Sequence, residues 1–339
     1  MSQQESINCA VFGASGYSGV ELAWLLHNHP FFTLSYAFTS GAREAEPITA
    51  LYPQLNGRCE LTLQPWHSDL LPQLAQQVRV VFLALPHAVS AELAPQLTAA
   101  GLIVFDLSGA FRLADARQHA MAYGFPQPQL NAPAHYGIAE FSDLQGNEPL
   151  VAVAGCYPTA AALALRPLKA LLKPSSVAIV NAVSGVTGAG RKAQLASNFN
   201  EVSLQAYGVA NHRHQPEMAQ SIGCDILFVP HLGNFKRGIL ATVYAELAPG
   251  TTQAAIEDSF QACYHNQPLV RLVGTPPKLQ QVVGTPYCDI YYKTHGSTLI
   301  LSVAIDNLLK GAASQAVQLA NQYFRLPATA GLINQGAVV

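Results

Sequence analysis

The stretch that decides the fold is Ile7–Gly19, INCAVFGASGYSG. Its apolar first half predicts a buried strand, and Val20–His27 has the apolar spacing of a helix. The glycines at positions 13, 16 and 19 form a GxxGxxG variant of the turn that lets a pyrophosphate approach the backbone at a helix start. A plain strand–helix turn would not require this many glycines and serines. We therefore predict that this turn binds a dinucleotide.

The first half of the chain alternates strands and helices. Apolar runs predict strands at Leu34–Thr39, Val80–Leu85 and Ile103–Asp106, and Ser90–Ala100 is expected to form a helix capped by Ser90. A continuous apolar run is typical of a parallel strand that is buried on both faces. This alternation predicts an α/β fold with an N-terminal Rossmann-like, doubly wound domain.

The second half predicts a mixed α+β domain. The expected strands are Val151–Ala154, Val177–Ala182, Ile226–Pro230, Ile239–Ala248, Val270–Val273 and Thr298–Ile305, and the expected helices are Thr159–Leu172, Thr252–Asn266 and Asn307–Arg325. We expect the last helix to return to the first domain. The predicted domains are thus 1–155, completed by 307–339, for the dinucleotide, and 156–306 for catalysis and oligomerisation.

Composition narrows the class of protein. The 339 residues are 50% hydrophobic and 11% charged, with a net charge of -2. No basic excess could neutralise a nucleic-acid backbone, so we expect no nucleic-acid partner. So few charged side chains suggest that a homodimer or homotetramer hides part of the surface. The polar start and short apolar runs predict no signal peptide and no membrane partner, hence a cytoplasmic protein. Six scattered cysteines show no metal-motif spacing, so no metal is expected.

Cys156 differs from the other cysteines in its context. It follows an apolar strand and Gly155, and Pro158 and Thr159 predict a helix just beyond it. A helix N-terminus stabilises a thiolate, which is the nucleophilic form of cysteine. Burial as a structural residue is the usual role of a thiol without a disulfide. The loop context here favours the nucleophile.

A histidine pair provides candidates for an acid or base. His212 and His214 flank Arg213 just before a predicted helix. One of the two histidines is expected to face the thiol, and the spacing does not say which one. An arginine flanked by two histidines also suggests a site for an anionic substrate.

Ends of other predicted strands supply candidate ligands. The second strand runs into Ser40 and Arg43 with no acid before Glu44, which suits the 2′-phosphate of NADP(H) better than the ribose of NAD, although Arg43 could also be a solvated surface residue. Arg112 and Arg191 end two further segments and are candidates for a phosphate or a carboxylate.

Eight segments together resemble the N-acetyl-gamma-glutamyl-phosphate reductases, an arginine-biosynthesis family related to the aspartate-semialdehyde dehydrogenases. They are Gly13–Leu22, Leu83–Ser90, Asp106–Arg112, Ala154–Thr159, Ser184–Arg191, His212–Met218, Pro230–Leu240 and Asp306–Ala313. They span nearly the whole chain in the family's order. The chain departs from the usual pattern at Gly109-Ala110 and over Gly233–Lys236.

The resemblance implies a reaction and a set of site residues. Cys156 would form a thioester with N-acetylglutamyl phosphate, NADPH would reduce it to the semialdehyde, and His212 or His214 would act as acid/base. The implied cofactor contacts are Gly13, Ser15, Gly16, Tyr17, Ser18, Ser40, Arg43, Pro86, Gly185 and Asn307. The implied substrate contacts are Arg112, Arg191 and Glu217.

Three alternatives remain at this point. One is a reductase for a different acyl phosphate, such as an aspartate-semialdehyde dehydrogenase. Another is a cysteine amidohydrolase without a cofactor, which leaves the N-terminal glycine turn unexplained. The third is a non-catalytic module that senses a dinucleotide, for which Cys156 would be unreactive.

Overall fold

The computed structural model describes residues 6–333. The expectations for the polar start, and for the last residues of the first domain, fall on 1–5 and 334–339 and lie outside the described residues. The chain folds into two compact units. The first unit runs up to Ala154 and resumes at Ala312, and the second unit extends from Gly155 to Gly311. The sequence placed the two breaks after residues 155 and 306.

Helices occur in both units. They are α1 (Tyr17–His27), α2 (Ile48–Leu51), α3 (Leu71–Gln77), α4 (His87–Ala99), α5 (Ala116–Tyr123), α6 (Cys156–Leu165), α7 (His214–Ile222), α8 (Gln253–Tyr264) and α9 (Ala313–Tyr323). A six-residue 3-10 segment, Arg166–Leu171, continues α6, so the helix expected over Thr159–Leu172 starts earlier and ends as a tighter turn. The expected cap at Ser90 is wrong, because α4 begins at His87 and Ser90 is buried inside it.

The closing helix begins later than the sequence predicts. The segment before Ala313 forms a turn instead, because the Asp306 carboxylate accepts the N–H groups of Leu308 and Leu309. Helix α9 packs against α1 in the first unit, as expected for a C-terminal helix that returns to the first domain.

The first unit contains an eight-stranded sheet. Its strands are β1 (Ile7–Phe12), β2 (Phe32–Thr39), β3 (Glu46–Pro47), β4 (Thr62–Pro65), β5 (Val80–Leu83), β6 (Ile103–Asp106), β7 (His135–Gly137) and β8 (Leu150–Val153). Their order is β3-β4-β2-β1-β5-β6-β8-β7, and every neighbouring pair is parallel except β3 with β4. The strand order therefore reverses at β1, with β2 on one side of it and β5 on the other. Ligands bind at such a switch point, at the carboxyl ends of the strands.

The second unit contains a seven-stranded mixed sheet. Its strands are β9 (Ala178–Gly185), β10 (Gln205–Ala206), β11 (Ile226–Gly233), β12 (Ile239–Glu246), β13 (Val270–Leu272), β14 (Cys288–His295) and β15 (Thr298–Ile305). Their order is β10-β11-β9-β12-β15-β14-β13, with antiparallel pairs at its centre. The predicted mixed α+β architecture is confirmed.

Helices cover one face of this second sheet. Helix α6 packs on β12 and β15, and α7 packs on β11. Along β12, the buried Ile239, Ala241 and Val243 alternate with the partly exposed Thr242 and Tyr244. The opposite face is therefore open in a single chain. No helix within residues 6–333 is long and apolar enough to cross a bilayer.

Candidate active site

The glycine turn after β1 is shaped by close backbone packing. Gly13 has a φ of +81°, and a Cβ built on it would lie 2.3 Å from the carbonyl oxygen of Ala84. A Cβ on Gly19 would lie 2.0 Å from the Gly13 oxygen. These two glycines allow the turn to contact the loop after β5 and α1 to pack on the turn.

Gly16 leaves space where a ligand would lie. It precedes α1 in an extended conformation, and a Cβ on it would contact only the Gly13 oxygen, at 3.4 Å. The N–H groups of the first helical turn, which includes Tyr17 and Ser18, have no acceptor within the helix. Ser15 and Ser18 are partly exposed. This donor set and this space fit a pyrophosphate.

Other predicted cofactor contacts lie at the same sheet edge. Ser40 is exposed in the turn after β2, where Arg43 donates its N–H to the Ser40 oxygen. The guanidinium of Arg43 pairs with Glu46 at 2.6 Å. Pro86 follows β5 and is the N-cap residue of α4. The first unit thus groups these three predicted residues beside the glycine turn.

Cys156 is the first residue of α6, directly after the buried strand β8 and Gly155. Two contacts fix this position. The fully buried Glu217 accepts the Gly155 N–H at 2.8 Å, and Gly311 leaves room for the cysteine, since a Cβ on Gly311 would lie 2.6 Å from the Cys156 Cβ. The thiol is partly exposed at a helix start, as a nucleophile requires.

A cavity of about 540 Å³ opens at Cys156. Its lining residues, all from the second unit, are Cys156, Tyr157, Ser184, Gly185, Gly188, Ala189, Gln194, Gln205, Tyr207, His212, Arg213, His214 and Leu232. The structure therefore brings both predicted histidines and Gly185 to the same cavity as the cysteine. Glu217 and Arg191 are not among the lining residues of this described cavity.

The two histidines differ in their surroundings. The Nδ1 atom of His212 accepts the N–H of His214 at 3.2 Å, which orients the ring and leaves the proton of the neutral imidazole on Nε2. Burial, and then the charge of Arg213, lower the pKa of His212 to about 4. His214 is more deeply buried than His212, with 7% of its surface exposed. His212 is therefore a neutral hydrogen-bond donor at neutral pH.

Three predicted ligands, Arg112, Arg191 and Asn307, are not among the residues that line this described cavity. Arg112 is buried in the first unit, where its guanidinium donates to the carbonyl oxygens of Val153 and Leu107. These bonds tie the loop after β6 to β8. Arg191 is exposed in the turn after β9. Asn307 accepts the Gly238 N–H at 2.7 Å and donates to Thr187 at 3.0 Å, so its amide joins elements of the second unit.

Sequence reasoning missed several polar residues of the cavity. Tyr157 lies inside a quoted motif, but it received no role there. Gln194, Gln205 and Tyr207 lie between two motifs, in a stretch whose sequence gave no periodic signal. Only the fold of the loop before α7 brings them to the cavity. Within residues 6–333, no three His, Cys, Asp or Glu side chains come close enough together to hold a metal.

Two family models match this chain. The semialdehyde dehydrogenase NAD binding domain matches residues 8–145, and the semialdehyde dehydrogenase dimerisation domain matches residues 156–307. The first match agrees with the dinucleotide fold of the first unit. The second indicates that the second unit belongs to proteins that form oligomers.

Solved structures share this architecture. Aspartate semialdehyde dehydrogenase II of Vibrio cholerae, complexed with ASA, has a TM-score of 0.70 and 17% identity, covering 95% of this chain and 99% of that one. The Candida albicans aspartate semialdehyde dehydrogenase with NADP has a TM-score of 0.68 and 12% identity, with the same coverage of both chains. At such identities the likeness concerns the fold alone.

Sequence relatives are much more similar. The N-acetyl-gamma-glutamyl-phosphate reductase of Aeromonas salmonicida (strain A449) is 47% identical over 334 residues, which cover 96% of this chain and 100% of the relative. The reductase of Escherichia coli O157:H7 is 49% identical over 336 residues, with the same coverage. The resemblance seen in the sequence motifs is confirmed, and this chain belongs to the N-acetyl-gamma-glutamyl-phosphate reductase family of the semialdehyde dehydrogenases.

Proposed function

We propose that this protein reduces N-acetyl-L-glutamyl 5-phosphate to N-acetyl-L-glutamate 5-semialdehyde and phosphate, with NADPH as the reductant, in arginine biosynthesis. The observation that carries the proposal is the position of Cys156 at the start of α6, on a cavity that it shares with His212. The relatives bear the name of this reductase, and the first unit has the fold and the glycine turn of a dinucleotide-binding domain.

Acyl transfer to Cys156 is the first step. The thiolate attacks the acyl carbonyl carbon, a C–S bond forms, and the C–O bond to phosphate breaks with its electrons leaving on the phosphate. The helix N-terminus stabilises the thiolate before attack. Glu217 holds the Gly155 backbone in place for this step, and Gly311 leaves room for the Cys156 side chain.

Reduction and release follow. The glycine turn Gly13–Gly19 would hold NADPH, which would supply the hydride that reduces the thioester. The neutral His212 donates an Nε2–H hydrogen bond to the carbonyl oxygen as negative charge develops there. The electron pair on that oxygen then re-forms the C=O bond, and the C–S bond breaks with its electrons leaving on sulfur. The aldehyde leaves and the thiolate of Cys156 is restored.

We favour His212 over His214 as the acid/base group. The backbone N–H bond at its Nδ1 fixes one tautomer, and its ring is more accessible than that of His214. Separate His212→Asn and His214→Asn variants test the choice by their turnover and pH profiles. A larger loss of turnover in the His214 variant would reverse it.

NADP(H) is the preferred cofactor in this proposal. The glycine turn fits a pyrophosphate, and Ser40 and Arg43 follow β2 where the 2′-phosphate would be bound. Arg112, Arg191 and Asn307 keep only the roles that the resemblance implies, because their observed partners do not by themselves indicate a ligand. Binding of NADPH and NADH, measured by nicotinamide fluorescence in wild type and Arg43→Gln, tests this preference.

A homodimer or a homotetramer is the proposed assembly. The open face of the second sheet carries Leu227, Ile179 and Tyr244 in register across β11, β9 and β12, and these side chains are each 37% to 38% exposed. An apolar row of this kind supports burial against a second copy. A cytoplasmic location is proposed because all six cysteines are thiols.

The decisive experiment follows the reverse reaction, the phosphate-dependent reduction of NADP⁺ by N-acetylglutamate semialdehyde. Wild type is expected to be active, and Cys156→Ser is expected to lose roughly three orders of magnitude or more in turnover because a hydroxyl is a far weaker nucleophile. Higher activity with aspartate semialdehyde would favour the other acyl-phosphate reductase. Near-normal turnover of Cys156→Ser would remove the assignment.

A further inference from the structure

The cavity at Cys156 has one permanent charge on its wall. Of its described lining residues, Arg213 is the only arginine or lysine, and no carboxylate is among them. The other arginines considered as ligands are not on this wall. A substrate with a carboxylate that reacts at Cys156 would therefore find its counter-ion in Arg213.

The hydrogen bonds of Tyr157 determine whether the hydroxyl of the neighbouring Tyr207 donates or accepts a hydrogen bond. The Tyr157 hydroxyl lies 3.3 Å from the carbonyl oxygen of His231, and a carbonyl can only accept. A phenol has a single proton, so the bond to His231 uses the Tyr157 proton.

Tyr207 must therefore be the donor in its hydrogen bond with Tyr157, where the two oxygens are 3.3 Å apart. Its own proton is thus engaged, so toward a ligand in the cavity that Tyr207 lines its oxygen can only accept. Burial raises the pKa of Tyr207, so the phenol keeps its proton at neutral pH. Toward a ligand, Tyr207 acts as a hydrogen-bond acceptor.

Tyr207 and Arg213 are neighbours on this wall. The charge of Arg213 acts on the phenol of Tyr207, where it partly opposes the effect of burial, and on the imidazole of His212. Tyr207 also packs edge-on against His212, with ring centroids 5.6 Å apart. An acceptor and a cation thus lie side by side, next to the candidate acid/base group.

We propose that Tyr207 and Arg213 together bind the amino-acid end of the substrate. The Tyr207 oxygen accepts the N–H of the acetamido group, and the guanidinium of Arg213 pairs with the carboxylate. These two substrate groups are attached to the same carbon, which matches the side-by-side placement of their partners. The pair selects an acylated amino acid, and this inference rests on the proposed function.

The phosphate is the other anion that Arg213 could bind. Pairing with phosphate would leave the Tyr207 acceptor beside it without a donor, because the substrate's phosphate is ionised at neutral pH. If Arg213 pairs with the carboxylate instead, both Arg213 and Tyr207 have a partner on the substrate. The reverse reaction separates the two possibilities, because phosphate and aldehyde are then independent substrates with their own KM values.

A substrate pair tests Tyr207. N-acetylglutamate semialdehyde and 5-oxopentanoate differ by the acetamido group alone. Tyr207→Phe is expected to lower kcat/KM for the first aldehyde about three- to tenfold, the effect of one neutral hydrogen bond, and to leave the second within about twofold. Equal losses with both aldehydes, or no loss with either, would overturn the role of Tyr207.

Arg213 is tested with the same two aldehydes. Arg213→Gln is expected to raise KM about tenfold or more for both, since both carry the carboxylate, with the KM for phosphate unchanged. A raised phosphate KM with an unchanged aldehyde KM would overturn the assignment. Arg117→Gln, in the exposed helix α5 of the first unit, is the matched control and should behave as wild type.

A binding measurement separates this inference from the proposed function. N-acetylglutamate should protect Cys156 of wild type from iodoacetamide, read from the alkylated peptide by mass spectrometry, better than glutarate does. Tyr207→Phe should erase that difference. Wild type that lacks reductase activity contradicts the proposed function, whereas active wild type with unaltered selectivity in both variants contradicts this inference alone.

Discussion

Glu217 shows how a single buried side chain can position the nucleophile without lining its cavity. Its carboxylate has no exposed surface and accepts the N–H of Gly155, the residue before Cys156. The resemblance implied a substrate contact for Glu217, but this geometry supports a positioning role. Because Glu217 lies on α7 and Gly155 precedes α6, the bond also links the helix that follows His212 to the helix that begins with the thiol.

We predict different outcomes for two substitutions of Glu217. Glu217→Ala leaves a buried N–H without its acceptor, which costs about 1–3 kcal/mol of the free energy of unfolding and lowers turnover. Glu217→Gln retains an acceptor oxygen of similar reach and should keep more of both. Denaturant unfolding and kcat measure the two effects. Equal losses in both variants would show that the negative charge, and not the acceptor, is required.

The buried histidines predict a dependence of stability on pH. Burial and the Arg213 charge lower the pKa of His212 to about 4, and burial also lowers the pKa values of His29 and His119. The unfolded chain, with histidine pKa values near about 6.5, binds more protons than the folded chain between these limits. The free energy of unfolding should therefore fall as the pH drops from about 6.5 toward 4.

His212→Asn isolates the contribution of one residue to this slope. Asparagine does not titrate, so the variant should lose less stability between pH 7 and pH 4 than wild type does. Denaturant midpoints at a series of pH values provide the measurement. An unchanged slope would mean that His29 and His119 dominate the effect.

At the scale of elements, strand bounds could be predicted from the sequence where the hydrophobic pattern of the strand is easy to recognise. β6 and β15 have the predicted bounds, since three apolar residues precede Asp106 in β6 and buried residues alternate with less buried ones over the first part of β15. Strand β14 was not predicted from the sequence. Its polar residues Lys293 and His295 lie on the open face of the sheet and interrupt the apolar pattern of the strand. Helix α5 was also missed, although Asp115 caps it.

The residues of the site likewise divide into those that a local sequence pattern could predict and those that it could not. Cys156 and the histidine pair could be predicted because strand, turn and helix starts mark them locally. The role of Arg112 could not, since its bonds to Val153 and Leu107 depend on how two strand ends meet. Tyr207 reaches the cavity only through the fold of a loop.

The two departures from the family pattern share one physical feature, a glycine covered by an aromatic ring. A Cβ on Gly109 would lie 2.1 Å from the Tyr123 ring, and a Cβ on Gly233 would lie 2.2 Å from the Phe235 ring. Gly109 also donates its N–H to His87 at 2.8 Å. In the loop after β6, the absence of a side chain thus permits α5 to pack against the loop.

An acidic side chain at residue 109 should destabilise the loop. Gly109→Asp would displace the Tyr123 ring and bring a carboxylate into an aromatic cluster, so the thermal unfolding midpoint should fall. Tyr123→Ala makes room for the new side chain. The double variant should therefore be less destabilised than the sum of the single changes. Additive losses would show that the ring is not what excludes a side chain at residue 109.

For the whole molecule, the low content of charged residues matters most at the open face of the second sheet, which carries a row of apolar side chains. The row Leu227, Ile179 and Tyr244 continues in register to Ile300 on β15. Such an apolar surface favours association because its burial removes it from water. The match of residues 156–307 to a dimerisation domain lies over this same sheet.

A charge at the centre of this row should dissociate the assembly. Ile179→Asp would bury a carboxylate between the two copies without a partner, at a cost that an interface of apolar contacts cannot offset. Sedimentation velocity at micromolar concentration should then show a smaller species than wild type. Met121→Asp, on helix α5 and 87% exposed, is the matched apolar-to-acid control and should sediment as wild type. An Ile179→Asp variant that keeps the wild-type size would locate the interface on another surface.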